Sequence, residues 1–177
     1  NSQTDIPVLT CAAARLENGS YRIAIGARPL KAVLFELLAK AGVPAQELAQ
    51  KLLSMAERSG DVVHCQQGHF AVADTLYWQG RFVEARRHLE LCRAAYRPLH
   101  HGRHVAEFGE DAGVTSTSYA AWVLWFLGHP EQAEQSCQSA LALARQLGHP
   151  YSLAYALTFA AVLHCRLRQP AQALVIA

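Results

Sequence analysis

The sequence predicts a mainly α-helical chain built as an antiparallel helix-pair repeat, an α-solenoid, with a short β-hairpin at its N-terminal end. Three observations predict it. Between Ser116 and Gln169, helix-length apolar segments are divided by two near-identical breaks, Leu127-Gly128-His129-Pro130 and Leu147-Gly148-His149-Pro150. Glycine can close one helix through the left-handed conformation, and proline suits the first turn of the next, where its missing N–H costs little. The form of the first break recurs as Tyr77-Trp78-Gln79-Gly80-Arg81-Phe82-Val83-Glu84-Ala85, Trp125-Phe126-Leu127-Gly128-His129-Pro130-Glu131-Gln132-Ala133 and Cys165-Arg166-Leu167-Arg168-Gln169-Pro170-Ala171-Gln172-Ala173. Placing Gly80, Gly128 and Arg168 in register gives spacings of 48 and 40 residues, near the range of helix-pair arrays. Small residues keep that register: Ala73, Ala121 and Ala161 stand seven before it, and Ala85, Ala133 and Ala173 five after. Two helix backbones can cross closely only where the side chains are small.

In chain order, residues 1–41 differ in character from the rest. Val8-Leu9-Thr10-Cys11-Ala12-Ala13-Ala14-Arg15-Leu16 and Tyr21-Arg22-Ile23-Ala24-Ile25 flank Glu17-Asn18-Gly19-Ser20, and Asn-Gly between two such runs signals an antiparallel hairpin. After Gly26-Ala27-Arg28-Pro29, residues 30–41 carry Leu30, Val33, Leu34, Leu37 and Leu38 at helical spacing, which predicts a helix. Gly42-Val43-Pro44 marks the domain boundary. Residues 45–59 form an amphipathic helix with Leu48, Leu52, Met55 and Ala56 inward, closed by Gly60-Asp61. Helices over 62–79 and 82–96 make the first clear repeat unit. Arg97 to Gly113, with Pro98, Gly102, Gly109 and Gly113, reads as a long loop that lengthens the first spacing. Helices over 115–127, 130–147, 151–167 and from Pro170 onward complete a repeat domain spanning 45–177.

This arrangement resembles the tetratricopeptide repeat, with Leu76, Leu89, Leu124, Leu157 and Phe159 as the large residues between the small ones. Cys92 departs from that pattern at a usual alanine place, and Arg168 at a usual glycine place. From Glu47 onward the chain is similar to the helical arrays of bacterial multidomain signalling proteins, in which a nucleotide cyclase, kinase or DNA-binding module precedes an ATPase module. The residues that carry this likeness are Ala56-Glu57-Arg58-Ser59-Gly60-Asp61, Gly68-His69-Phe70-Ala71, Thr75-Leu76-Tyr77-Trp78-Gln79-Gly80, Ser118-Tyr119-Ala120-Ala121-Trp122, and the run from Ala140 to Pro150. No G-x-x-x-x-G-K-[ST] loop is present to cradle phosphates. The resemblance therefore implies a non-catalytic scaffold for protein-protein interaction or signal relay.

Residues 1–40, above all Ile25-Gly26-Ala27-Arg28-Pro29, resemble the C-terminal lobe of the FAD-binding subunit of molybdenum hydroxylases, the xanthine and carbon monoxide dehydrogenase group. The alternative function is thus a fragment of such an oxidoreductase subunit. The glycine-rich FAD-binding segments of that family have no counterpart here, so no cofactor-binding residue is carried over. Both ends read as interior to a longer protein.

Composition excludes other classes. With 51% hydrophobic and 17% charged residues and a net charge of +2, the chain is neither disordered nor strongly basic, so nucleic acid is not an expected partner. No apolar run is long enough to span a bilayer. Cys11, Cys65, Cys92, Cys137 and Cys165 are widely spaced, odd in number and without a C-x-x-C pair, which points to reduced core thiols and a cytoplasmic setting. His100-His101-Gly102-Arg103-His104 with Glu107, Glu110 and Asp111 is the sharpest polar cluster. Adjacent histidines rarely meet one ion, and no H-E-x-x-H motif is present, so no metal is expected. His64, His69, His88 and His164 lie on helices without a nucleophile disposed toward them, since their neighbours Cys65 and Cys165 point elsewhere; no catalytic residue is expected. Trp78, Trp122, Trp125, Tyr77, Tyr119, Tyr155 and Phe159 fall at helical spacing in the apolar segments, a pattern that more often marks core than a ligand platform. The first helices of stacked pairs should line a concave, weakly charged groove for a protein or peptide partner. Its predicted residues are Gln66, His69, Thr75, Thr117, Tyr119, Tyr151, Tyr155 and Thr158, and open repeat ends would allow self-association.

Overall fold

The computed structural model describes residues 10–15, 21–26, 32–35, 45–169 and 171–173. Two units divide the chain, Asn1–Pro44 and Ala45–Ala177. In the first, strand β1 (Thr10–Arg15) pairs antiparallel with β2 (Tyr21–Gly26), from Thr10 opposite Gly26 to Arg15 opposite Tyr21. The turn predicted at residues 17–20 lies outside the described residues. Of the helix predicted over 30–41, residues 32–35 are corrected to strand β3 (Ala32–Phe35), which pairs antiparallel with β2 and sets Ile25 opposite Val33 and Ile23 opposite Phe35; the rest of that prediction lies outside the described residues. Four consecutive apolar residues satisfy either periodicity, and the backbone groups left unpaired along β2 decide for the strand.

The second unit is helical: α1 (Ala45–Ser59), α2 (Val62–Trp78), α3 (Phe82–Ala95), α4 (His101–Phe108), α5 (Ala112–Phe126), α6 (Pro130–Leu147) and α7 (Pro150–Arg166). The chain as described is thus mainly α-helical. Apart from α4, each helix packs on the next in sequence. In addition α2 touches α5, and α5 touches α7.

Three helix ends close in the same way. The N–H groups of Arg81, His129 and Gln169 donate to the carbonyls of Leu76, Leu124 and His164, each at 2.9 Å. Inside each of these bonds, Gly80, Gly128 and Arg168 donate to Tyr77, Trp125 and Cys165 at 3.0, 3.0 and 3.1 Å. The geometry needs a left-handed residue at its tip, and Arg168 adopts φ 59° there as the glycines do at 76° and 81°. An arginine in that conformation stores about 1 kcal/mol of strain, so the repeating turn, and not local preference, sets its backbone.

Between these turns the small residues nest. Ala73 and Ala85 share one buried cluster, Ala121 and Ala133 the next, and all four are 2% exposed or less. Ala161 is only partly buried; of the segment that would face it, the described residues extend over Ala171–Ala173 alone. At the α1–α2 crossing Gly68 does the same work. A Cβ there would stand 2.9 Å from Leu53 Cα.

The loop expected over 97–113 is corrected too. It holds a 3-10 turn (Pro98–His100) and then α4, closed by Gly109 at φ 78°. Buried contacts hold α4: fully buried His104 donates from Nε2 to Gln66 Oε1 (3.0 Å), and Gln66 Nε2 donates to the Cys92 carbonyl (3.2 Å). Two helix caps complete the anchorage. Asp61, capping α2 through the Val63 and His64 N–H groups, also accepts from Arg103; Asp111, capping α5 through Val114 N–H, accepts from Tyr96 Oη (3.0 Å) and His101 Nδ1 (2.9 Å).

Of the thiols expected in the core, Cys92 and Cys137 are buried, and burial pushes them up to about 12 and about 11. Cys65 is only partly covered and Cys165 is exposed, which corrects the expectation for both. No helix among the described residues is long and apolar enough to cross a membrane.

Candidate partner-binding face

An α-helix turns about 100° per residue, so a face assigned one position off looks in a different direction. That slip corrects three of the eight predicted groove residues. Gln66 is fully buried under α4 through the bonds just described. Thr117 is 6% exposed, and its carbonyl accepts from Ser136 of α6. His69 turns toward α3, where its Nδ1 stands 3.1 Å from Nδ1 of His88; one ring must donate and the other accept, and burial lowers both below the usual histidine range. Thr75 and Thr158 spend their hydroxyls on their own helices, donating to the Ala71 and Ala154 carbonyls. Tyr119, Tyr151 and Tyr155 do come together, although Tyr119 is only 9% exposed.

What α2, α5 and α7 share is a ladder of rings. Phe70 meets Tyr119 edge-on at 5.3 Å, and Tyr119 lies 4.9 Å from Phe159. Phe159 stacks on Tyr155 at 4.7 Å and on Trp122 at 3.9 Å, and Trp122 Nε1 donates to the Phe159 carbonyl. At one end the Arg166 guanidinium sits over Trp122, Trp125 and Phe126 at 4.6, 5.4 and 4.9 Å. Such contacts are worth about 0.5–1 kcal/mol each where solvent reaches them. Trp78, predicted as core, is instead 71% exposed, its Nε1 donating to Asp74 Oδ1 at 2.9 Å.

The sequence already held the signal for this face. Ala71, Tyr119 and Phe159 stand nine residues before the three register points, Asp74 and Trp122 six before, and Trp78, Phe126 and Arg166 two before. Among these stripe positions the predicted groove includes Tyr119 alone, because polar side chains and not register define that prediction.

Two carboxylates share the polar part of the face. Asp74 accepts from Trp78; burial first, and then the neighbouring Asp74 carboxylate, raise the Tyr119 phenol above its usual range. Glu110, between the α4 cap and the α5 cap, is pushed up to about 7, first by burial and then by Asp74 and Asp111. No arginine or lysine among the described residues pairs with either Asp74 or Glu110. For Glu110 the linkage has a definite sign. Its folded value lies above the unfolded 4.5, so its contribution is fully present below pH 4.5 and is lost as pH rises through about 7. Discounted for partial exposure, the loss is about 1–2 kcal/mol.

Elsewhere the chemistry is sparse. Among the described residues no group of three or more His, Cys, Asp or Glu side chains is placed to hold a metal ion. His100, which ends the 3-10 turn at the N-cap of α4, and His104 within α4 each keep a buried Nδ1 atom without a hydrogen-bond partner. A cleft of about 130 Å³ between α3, α5 and α6, lined by Arg86, Leu89, Glu90, Arg93, Ala120, Leu124 and Gln132, is smaller than a small-molecule site requires.

No protein-family model matches this chain, and no curated protein sequence matches it either.

Proposed function

We propose that residues 45–177 are a non-catalytic, tetratricopeptide-like solenoid that holds a protein or peptide partner on the face lined by α2, α5 and α7. The observation that carries this reading is the ring ladder running from Phe70 through Tyr119 to Phe159, one rung from each first helix. The matching closures at Gly80, Gly128 and Arg168 support it, because they give the three first helices a common exit geometry. Stacked pairs of this kind bury their small residues internally and leave the first-helix face for binding. Aromatic side chains suit it, offering large contact area with little rotamer entropy to lose. The resemblance of the repeats to arrays in bacterial signalling proteins supports interaction or signal relay between modules as the wider role, in a cytoplasmic setting.

The test is amide and ring chemical-shift mapping of the full chain against a degenerate twelve-residue peptide library. Shifts concentrated at Phe70, Asp74, Tyr119, Tyr155 and Phe159 are the expected result. Shifts confined to the outer surfaces of α3 and α6, or no response to any peptide, would overturn the reading.

A further inference from the structure

We propose that the Asp74–Glu110 region of this face receives a cationic side chain, lysine or arginine, from an extended peptide partner. The inference rests on the reading of the face as a partner-binding surface and adds the chemistry of the partner.

Charge complementarity is the first argument. Asp74 lies close enough to Glu110 to raise the cost of ionising it, and neither carboxylate pairs with a lysine or arginine among the described residues. Burying two carboxylates near each other without a counter-charge is unfavourable, and a ligand cation would remove most of that penalty. Burial first, and Asp74 and Asp111 after it, push Glu110 up to about 7, so a cation brought beside it would offset part of that cost.

An independent observation is Gln67. It is 9% exposed, and its Nε2 is buried with no hydrogen-bond partner. Gln67, Phe70 and Asp74 stand at i, i+3 and i+7 on α2, one stripe of the helix, so the orphaned amide donor belongs to the same face as the carboxylate. Turned outward as a partner docks, that donor would find its acceptor in the carbonyl of an extended peptide backbone. The walls fit an organic cation as well. Tyr119 and Tyr155 belong to the ring ladder of the same face through Phe159, and Trp78 stands exposed beside Asp74 with its indole already tethered to it. Ammonium and guanidinium groups gain from carboxylate and ring together.

The experiment uses four twelve-residue peptide pools, degenerate except for a central lysine, arginine, norleucine or glutamate, titrated against the full chain at pH 7.5. The lysine and arginine pools should bind about tenfold tighter than the norleucine pool, and the glutamate pool weakest. In the Asp74→Asn/Glu110→Gln double variant the preference for a cation should fall to less than about twofold while the norleucine pool still binds. Equal binding of the lysine and norleucine pools would overturn this inference and leave the binding face standing; binding of no pool would overturn both. A lysine preference unchanged in the double variant would also overturn it, because charge selection would then lie elsewhere. Should the double variant not fold, Glu110→Gln alone serves. It removes an ionisation that opposes folding, so it should melt at or above the parent at pH 8, and it must lose most of the cation preference.

Discussion

Ala133→Leu is expected to destabilise the helical unit by about 2–3 kcal/mol, lowering the melting temperature by roughly 5–10 °C. Ala133 is fully buried in the first turns of α6, in one cluster with Ala121 and Leu124 of α5. Three added carbons can find room only by separating two backbones that now nest, or by forcing neighbours from their rotamers. The surrounding pieces share a continuous core with α7 through Ala156, Ala160 and Leu163, so the displacement propagates along the stack. Ala154→Leu on the exposed side of α7 is the control, with a change within about 0.5 kcal/mol. Thermal and urea unfolding read both. Equal, small effects at the two positions would mean that helices do not cross at Ala133.

Asp111→Ala carries the second large effect, a loss of about 3 kcal/mol. Asp111 is fully buried and serves three donors at once: the Val114 N–H, Tyr96 Oη and His101 Nδ1. Loss of the cap costs about 1 kcal/mol, and leaving the tyrosine hydroxyl and the imidazole unsatisfied costs about 1–2 kcal/mol more. Asp111→Asn keeps one carbonyl oxygen and should recover roughly half of the loss. Hydrogen exchange supplies a readout that a general core defect would not reproduce. The amides of α4 and of the first turn of α5 should lose protection ahead of α6, since Asp111 ties the end of α3, the start of α4 and the start of α5 together. Uniform loss across the unit would contradict that assignment.

Much of the helical architecture was legible because its punctuation is chemical. Gly80, Gly128 and the prolines at 130 and 150 announce the breaks, and Arg168 betrays its role only by register, for nothing in an arginine side chain requests a positive φ. Helix α4 was hidden for a physical reason. Its eight residues are amphipathic in spacing but offer only Val105, Ala106 and Phe108 as apolar groups beside Gly102, and what holds it is tertiary: buried His104 on Gln66, Arg103 on Asp61, and Glu107 against His64. Strand β3 is illegible in the sequence because Val33 and Leu34 fit the helical spacing of Leu30, Leu37 and Leu38 as readily as a strand, and the pairing edge of β2 decides between them. Of the groove residues expected on the first helices, Tyr119, Tyr151 and Tyr155 do come together, while others do not. Polarity was the wrong guide there: Gln66 and Thr117 face inward, while Phe70 and Trp122, apolar and easily assigned to the core, are partly exposed rungs.

The central claim is that α2, α5 and α7 stand side by side and present one continuous aromatic face. Ring-to-ring nuclear Overhauser contacts in the free protein test it most directly. Cross-peaks should link Phe70 with Tyr119 and Tyr119 with Phe159, whose ring centres lie 5.3 and 4.9 Å apart. Assigned rings that show neither cross-peak, with Tyr119 contacting residues of α6 instead, would contradict it.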